Sequence, residues 1–238
     1  MSSELQVVIL AGGLATRLGG AVRSTPKALL PVAGRPFLAW QLERLSRSGY
    51  REVLILTGYL GDAIASFVGN GSAFGVRARS LGDGPVLLGT AGALRHALDA
   101  LDDDFLVTYG DSYLPFDYSA PLLDLRAHPN ALGTMSVFPN AGRWDASNTE
   151  VRGDRVVRYE KGANDPALDH IDYGAIALRR SVIAEIPTGE ARGLDAVQTD
   201  LAERGSLRAY RVSKRFYEIG SPAGLAELDR LLSEGDVP

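Results

Sequence analysis

"VVILAGGLATRLGG", residues Val7–Gly20, decides the fold class. With the residues before it, Leu5–Leu10 ("LQVVIL") is a continuous apolar run of strand length, β-branched in its middle. Such runs mark strands covered on both faces in a parallel sheet. A small, glycine-bearing segment with one arginine, Arg17, follows at once. In parallel α/β sheets, ligands bind beyond the carboxyl ends of the strands, so this segment is the first candidate site.

Working outward, Pro36–Ser48 carries Phe37, Leu38, Trp40, Leu42 and Leu45 at helical spacing, with Gln41 a polar residue in the same stripe. Pro36 suits a first turn and Gly49 a stop. Glu52–Gly58 predicts a second buried strand, Gly61–Gly69 a short helix, Val76–Ser80 an alternating strand and Thr90–Leu101 a helix. Asp104–Asp111 predicts another apolar strand, which runs into Gly110-Asp111. The order β-α-β-α-β-α-β implies a parallel sheet flanked by helices. The second half changes character. "LGTMSVFPN", "NTEVRGDRVVRYEKG" and "HIDYGAIALRR" predict short strands, the middle one a hairpin turning at Gly153-Asp154. Leu194–Gly205 predicts a helix, "LRAYRVS" a strand, and "SPAGLAELDRLLSEG" a helix with Ser221 as N-cap and Pro222 in its first turn. The expected organisation is one domain over 1–238, with a nucleotide half to about residue 115 and a more antiparallel half from about 116.

The chain has 238 residues, a net charge of −4 and no cysteine. The charge speaks against a general nucleic-acid binder. The absence of cysteine removes disulfides, thiolate nucleophiles and cysteine-ligated zinc. His96, His128 and His170 are scattered and form no ligand pair, and His96 and His128 fall on helical stretches as structural residues. Glu4 stands where a signal peptide would carry basic residues, and "LQVVILAGG" is too short for a membrane span. A cytoplasmic protein with no membrane or nucleic-acid partner is expected; the sequence is silent on oligomeric state.

The loop fits neither common phosphate motif. It lacks the Gly-Lys-Ser/Thr ending of a P-loop, and it has no G-x-G-x-x-G. What remains is Arg17, a planar fork matched to phosphate oxygens, and Lys27, a point charge on a stretch stiffened by Pro26 and Pro31. Two cations of different geometry suit a polyphosphate about to be split. Asp111 ends an apolar strand, a costly place for a carboxylate unless a cation meets it; a hard divalent ion would do so. Glu218, in "FYEIG", has a similar setting.

"LAGGLATRLGGAVRSTPKALLPVAGRPFLAWQLERL" resembles the signature of the sugar-1-phosphate nucleotidyltransferases, L-A-G-G-x-G-T-R-L followed by P-K-x-(L/M)-x-P-(V/I)-x-G-(R/K)-P. One position departs: Ala15 replaces the usual third glycine. "LLGTAGALRHAL", "VTYGDSYL", "NTEVRGDRVVRYEKG", "IDYGAIALRR" and "RFYEIGSPAGLAELDRLL" are similar to further family elements in the same order, so the resemblance runs from about Val7 to Leu232. It implies a Rossmann-like α/β fold of the nucleotide-diphospho-sugar transferase type, with a more antiparallel sugar-binding half. It implies a nucleotide site at Leu10, Ala11, Gly12, Gly13, Thr16, Gly89, Thr90 and Gly110, and catalytic cations at Arg17, Lys27 and Lys161. A sugar pocket at Asn148, Glu160, Asp172 and Gly174 is implied too, with Thr149 a lesser candidate on the same wall, and Mg2+ on Asp111 and Glu218. Where the family has a second metal-binding aspartate, this chain has Glu218. The substrates implied are a nucleoside triphosphate and a sugar 1-phosphate. The products are a nucleoside-diphosphate sugar and pyrophosphate, and no general base is needed because the nucleophile is already an anion. Length and motif style lean to GTP and a heptose 1-phosphate. Uridylyl or cytidylyl transfer to another sugar or phosphonate, and a non-catalytic regulatory paralogue, are the alternatives. Some relatives append a hexapeptide-repeat solenoid, and a bare catalytic domain is expected here.

Overall fold

The computed structural model describes residues 5–13, 25–84, 86–140, 142–163 and 165–235. Along the chain it forms β1 (Gln6–Leu10), a 3-10 turn at Lys27–Leu29, β2 (Pro31–Val32), β3 (Arg35–Pro36), α1 (Phe37–Arg47), β4 (Glu52–Thr57), α2 (Gly61–Val68) and β5 (Arg77–Gly82). Then come α3 (Gly89–His96), β6 (Asp104–Tyr109), β7 (Ser112–Tyr113), α4 (Ser119–Ala127), β8 (Gly133–Pro139), β9 (Thr149–Arg152) and β10 (Arg155–Tyr159). The chain closes with β11 (His170–Arg179), α5 (Arg180–Ala184), α6 (Leu194–Glu203), β12 (Leu207–Arg211), β13 (Tyr217–Glu218) and α7 (Pro222–Glu234). The expected Thr90–Leu101 helix stops at His96 and continues as a separate 3-10 turn at Leu98–Ala100.

These elements divide into two compact units interleaved in sequence: Met1–Leu87 with Thr108–Pro115 and Phe216–Pro238, and Leu88–Val107 with Phe116–Arg215. In the first unit, β1 pairs in parallel with β4, Val8 opposite Leu54, and β4 with β5, Val53 opposite Ala78. Every residue of β1 is buried, as its unbroken apolar run demands. Each such side chain stabilises the fold by about 1.5–3 kcal/mol. β5 alternates in exposure, as suits a strand at the end of the order. Helix α1 buries Phe37, Leu38, Ala39, Leu42 and Leu45, and Gln41 among them. Antiparallel β7 and β13 bring Tyr113 opposite Tyr217 and Ser112 opposite Glu218. The start of α7 is fixed by Ser221, whose hydroxyl accepts the Gly224 N–H at 3.1 Å. Its Leu228 packs with Leu30, Val32, Phe37, Tyr113 and Ile219 in a core of their own.

The second unit is mixed. Its strands run β11-β8-β12-β10-β9, with β12 parallel to β8 and the other pairs antiparallel. His170 at the start of β11 also meets Thr149 of β9, so the five strands close on themselves there. The β9–β10 hairpin turns where expected, Gly153 taking φ +59°. β11 is interrupted: its register with β8 shifts between Asp172 and Ile176, and Gly174 there has φ +87°. No described helix is long and apolar enough to cross a membrane.

Candidate functional site

In the first unit, the residues past the ends of the parallel strands converge. The Gly110 N–H donates to Leu10 O at 2.9 Å and the Ala11 N–H to Leu56 O at 2.8 Å. These bonds set Leu10, Ala11 and Gly110 side by side. A Cβ on Gly110 would meet the Ala11 Cβ at 3.1 Å. Gly12 lies on the backbone after β4: its Cβ would stand 3.2 Å from Gly58 N, and one on Gly58 would stand 3.0 Å from Gly12 O. The missing side chain at Gly12 therefore already serves a backbone-to-backbone contact within the protein. Beside Gly13 no described residue lies within 4 Å of a Cβ position. Thr16 and Arg17, with Ala15, lie outside the described residues.

Asp111 projects from the turn between β6 and β7. Its Oδ2 takes the Lys27 ammonium at 2.5 Å, and its Oδ1 accepts from Ser112 Oγ at 3.4 Å. Both side chains of the ion pair are largely buried, Lys27 at 19% and Asp111 at 30% exposure. Lys27 reaches it from the first position of its 3-10 turn, held by Pro26 on one side and the β2 start at Pro31 on the other. Glu218 arrives by the β7–β13 ladder, in which the Ile219 N–H also donates to Asp111 O at 3.0 Å. Gly220 shapes the space between these groups: a Cβ there would sit 3.1 Å from Lys27 Nζ and 3.3 Å from Glu218 Oε1. Lys27, Asp111 and Glu218, remote in sequence, thus gather beside Gly220, whose missing side chain lets Lys27 and Glu218 approach.

This donor set suits magnesium. The ion takes one or two carboxylates and completes its shell with water and phosphate oxygens. Asp111 and Glu218 would supply two hard oxygen ligands, carried to the same place by the β7–β13 pair. Among the described residues, no group of three or more His, Cys, Asp or Glu side chains is disposed to hold a metal, so phosphate would have to contribute.

Two glutamines complete the picture, one in each unit, and each was legible only as a polar residue on an apolar helix face. Gln41, fully buried on α1, donates its Nε2 to Tyr109 O at 2.8 Å and Ser112 O at 3.3 Å, the carbonyls on either side of Gly110-Asp111. Gln198, 1% exposed on α6, lies in the stripe of Leu194, Val197 and Leu201, and donates to Asp172 Oδ2 at 2.8 Å.

In the second unit, Asp172 is the hub. Its Oδ1 accepts the Gly174 N–H at 2.9 Å, across the irregularity of β11, and its own N–H donates to Asn148 Oδ1 at 2.8 Å. Burial pushes the Asp172 carboxyl above the usual carboxylate range, although the Gly174 and Gln198 donors and the Lys161 charge pull the other way. Burial, with the Asp172 and Asp195 carboxyls, likewise pushes the Tyr159 phenol up. The Glu160 N–H donates to Asn148 O at 2.8 Å, and Asn148 Oδ1 accepts from Thr149 Oγ1 at 2.9 Å. Asn148, Asp172, Gly174 and Lys161 are thus one neighbourhood. The Glu160 carboxylate turns aside to Arg158, at 2.5 Å and 53% exposed.

Gly89 and Thr90 stand apart from that hub. Thr90 Oγ1 accepts the Leu194 N–H at 2.7 Å, and the Ala91 and Gly92 N–H groups donate to Arg192 O. Gly89, at φ +69°, would set a Cβ 2.7 Å from that same carbonyl. The "LGTAG" segment thus holds the residue 190–194 loop against the start of α3. His128 Nδ1 lies 2.7 Å from Asp124 O and His170 Nδ1 2.5 Å from Asp169 Oδ1.

One unit carries cations and carboxylates beyond its parallel strand ends and the other a polar hub, an arrangement that fits the α/β nucleotidyltransferases. The chain belongs to the MobA-like NTP transferase domain family, whose model matches residues 7–198, and its relatives there are sugar-1-phosphate nucleotidyltransferases. It is 38% identical over 206 residues to an N-acetylmuramate alpha-1-phosphate uridylyltransferase of Neisseria meningitidis, covering 79% of this chain and 86% of that protein. It is 31% identical over 242 residues to a mannose-1-phosphate guanylyltransferase of Mycobacterium tuberculosis, covering 99% of this chain and 66% of that one, so it spans about two thirds of that relative's length. A D-glycero-alpha-D-manno-heptose 1-phosphate guanylyltransferase of Campylobacter jejuni is 30% identical over 220 residues, covering 92% and 96%. The fold matches that of HddC from Yersinia pseudotuberculosis with a TM-score of 0.79 at 22% identity, over 96% of this chain and 99% of that one.

Proposed function

We propose that the protein joins a sugar 1-phosphate to a nucleoside triphosphate, releasing pyrophosphate, and that GTP with a heptose 1-phosphate is its pair. The observation that carries this reading is the gathering of Lys27, Asp111 and Glu218 beside Gly220. The pair is supported by the Campylobacter relative, which matches nearly end to end. Uridylyl transfer is the second reading, favoured by the higher identity to the Neisseria protein over a shorter span.

A phosphate oxygen of the sugar attacks the α-phosphorus, and the bond to the β,γ-pyrophosphate breaks. Two anions must meet while charge builds on the leaving group, so positioning and electrostatic stabilisation carry the rate. Lys27 sits where it can meet the α-phosphate. Arg17 holds the departing pyrophosphate. Lys161 holds the sugar phosphate, and Asn148, Glu160, Asp172 and Gly174 receive the sugar, with the backbone of Gly12, Gly13 and Gly110 close to the nucleotide. Asp111 and Glu218 hold Mg2+, which when bound neutralises phosphate charge. We place the reaction in the cytoplasm.

The test is pyrophosphate release with magnesium, each nucleoside triphosphate in turn, and a panel of sugar 1-phosphates. GTP with a heptose 1-phosphate is expected to give the highest kcat/KM. A higher value with UTP would establish the second reading. No release with any pair would overturn both in favour of a regulatory, non-catalytic protein.

A further inference from the structure

Gln41 is the one polar side chain named in the buried face of α1. Its amide reaches the Tyr109 and Ser112 carbonyls, at 2.8 Å and 3.3 Å, which bracket Gly110-Asp111. Its own Oε1, buried, has no hydrogen-bond partner among the described residues. A leucine would suit that face and would leave no amide oxygen unpaired, so the helix gains nothing of its own from the glutamine. What the glutamine supplies is two N–H donors that tie the carbonyls on either side of Gly110-Asp111 to helix α1. The rest of the turn is tied as well: Gly110 N to Leu10 O, and Asp111 O from Ile219 N. The Gly110 bond holds the Tyr109–Gly110 peptide unit by its N–H, and the Gln41 amide holds the same unit by its carbonyl and the Ser112 carbonyl as well. One turn along α1, Arg44 donates Nε to Leu114 O at 2.9 Å, past the Asp111 turn.

We propose that Gln41 is a positioning residue for Asp111: it fixes the turn so that the carboxylate stands toward Lys27 and Glu218 in an orientation ready for a divalent cation. This rests on the reading of Asp111 as a metal ligand. Groups that orient a ligand from behind tune metal affinity by roughly 10–100-fold, whereas a residue that only fills the core changes stability and leaves the affinity of the folded protein alone.

The experiment is Mn2+ binding, read by the loss of the free-ion EPR signal, to the full chain with a non-hydrolysable GTP analogue. The proteins are the parent, Gln41→Leu, Gln41→Asn, Arg44→Met and Asp111→Asn. Each is measured at a temperature where circular dichroism shows it folded. Gln41→Asn keeps an amide but is one methylene short of both carbonyls, and it serves if the leucine variant does not fold. Both Gln41 variants are expected to bind Mn2+ at least about tenfold more weakly, with Arg44→Met unchanged. Parent-like affinity in the folded Gln41 variants, or an equal loss in Arg44→Met, would overturn the proposal. Asp111→Asn separates the two levels: if it binds Mn2+ as the parent does, the metal-ligand reading fails. If it loses binding while the Gln41 variants keep it, only the positioning role fails.

Discussion

At the scale of single residues, Asp111 and Gly89 show how differently two positions in similar motifs are used. Asp111 is tied to Lys27 and stands beside Glu218. Asp111→Asn keeps the size of the side chain and removes its charge, so the turn survives while Lys27 loses its counter-charge. Turnover is expected to fall by about 100-fold or more, on the scale seen when one electrostatic stabiliser is removed, with an unchanged circular dichroism spectrum. Near-parental pyrophosphate release at saturating magnesium would dismiss the metal role. Gly89 behaves otherwise. At φ +69°, with Arg192 O at 2.7 Å from a Cβ position, Gly89→Ala meets both backbone strain and a clash. It is expected to cost about 2–3 kcal/mol of stability, visible as a Tm several degrees lower. A parental Tm with a raised KM for nucleotide would instead make Gly89 a ligand contact and nothing more.

At the scale of elements, the long apolar strands and capped helices were legible because their local and tertiary preferences agree. Val7–Leu10 of β1 and Val53–Leu56 of β4 are apolar and buried, and Ser221 with Pro222 opens α7 as its residue types suggest. The elements that periodicity does not announce are those in which tertiary contacts overrule local signal. α4 has Pro121 inside its first turn and only Pro121, Leu122 and Leu125 buried, and β7 and β13 are two residues each, meaningful only as a pair. That pair matters most, because it carries Glu218 to Asp111, a proximity that strand patterns alone do not contain. The motif residues were legible, but their partners Gln41 and Gln198 came into view only as polar residues in apolar stripes. Helix α7 supports the same pair through the Leu228–Ile219–Tyr113 core. Ser221→Ala removes the acceptor for Gly224 N–H and is expected to cost about 1 kcal/mol. The frayed first turn adjoins Glu218, so KM for magnesium should rise along with the lower Tm. Loss of stability alone, with magnesium dependence unchanged, would confine Ser221 to capping.

At the scale of the whole molecule, two buried carboxyls give stability opposite dependences on pH. Asp124 lies under Arg208, which donates Nε at 2.8 Å and Nη2 at 3.2 Å, and under Thr134 Oγ1 at 3.0 Å. Burial pushes its carboxyl up, but the Arg208 and Thr134 hydrogen bonds, with the Arg208 charge, outweigh that and hold it below the ordinary value of 3.8. A lowered carboxyl contributes stability that is complete above the unfolded value and is lost as pH falls through the folded one. For Asp172 burial wins and the carboxyl stands above 3.8. The folded chain then keeps a proton that the unfolded chain has lost, so the contribution is complete below 3.8 and disappears as pH rises through the folded value. Urea unfolding across pH separates them. Asp124→Asn should flatten the fall in stability on the acid side of 3.8. Asp172→Asn, which keeps an acceptor for Gly174 N–H without a charge to bury, should flatten the decline on the other side, above 3.8. If the Asp172→Asn curve runs parallel to the parental one above pH 3.8, the carboxyl is ionised in the fold without cost. The Asp172 hub of the second unit would then be anionic above that pH, an acceptor for the Gly174 and Gln198 donors and not itself a hydrogen-bond donor.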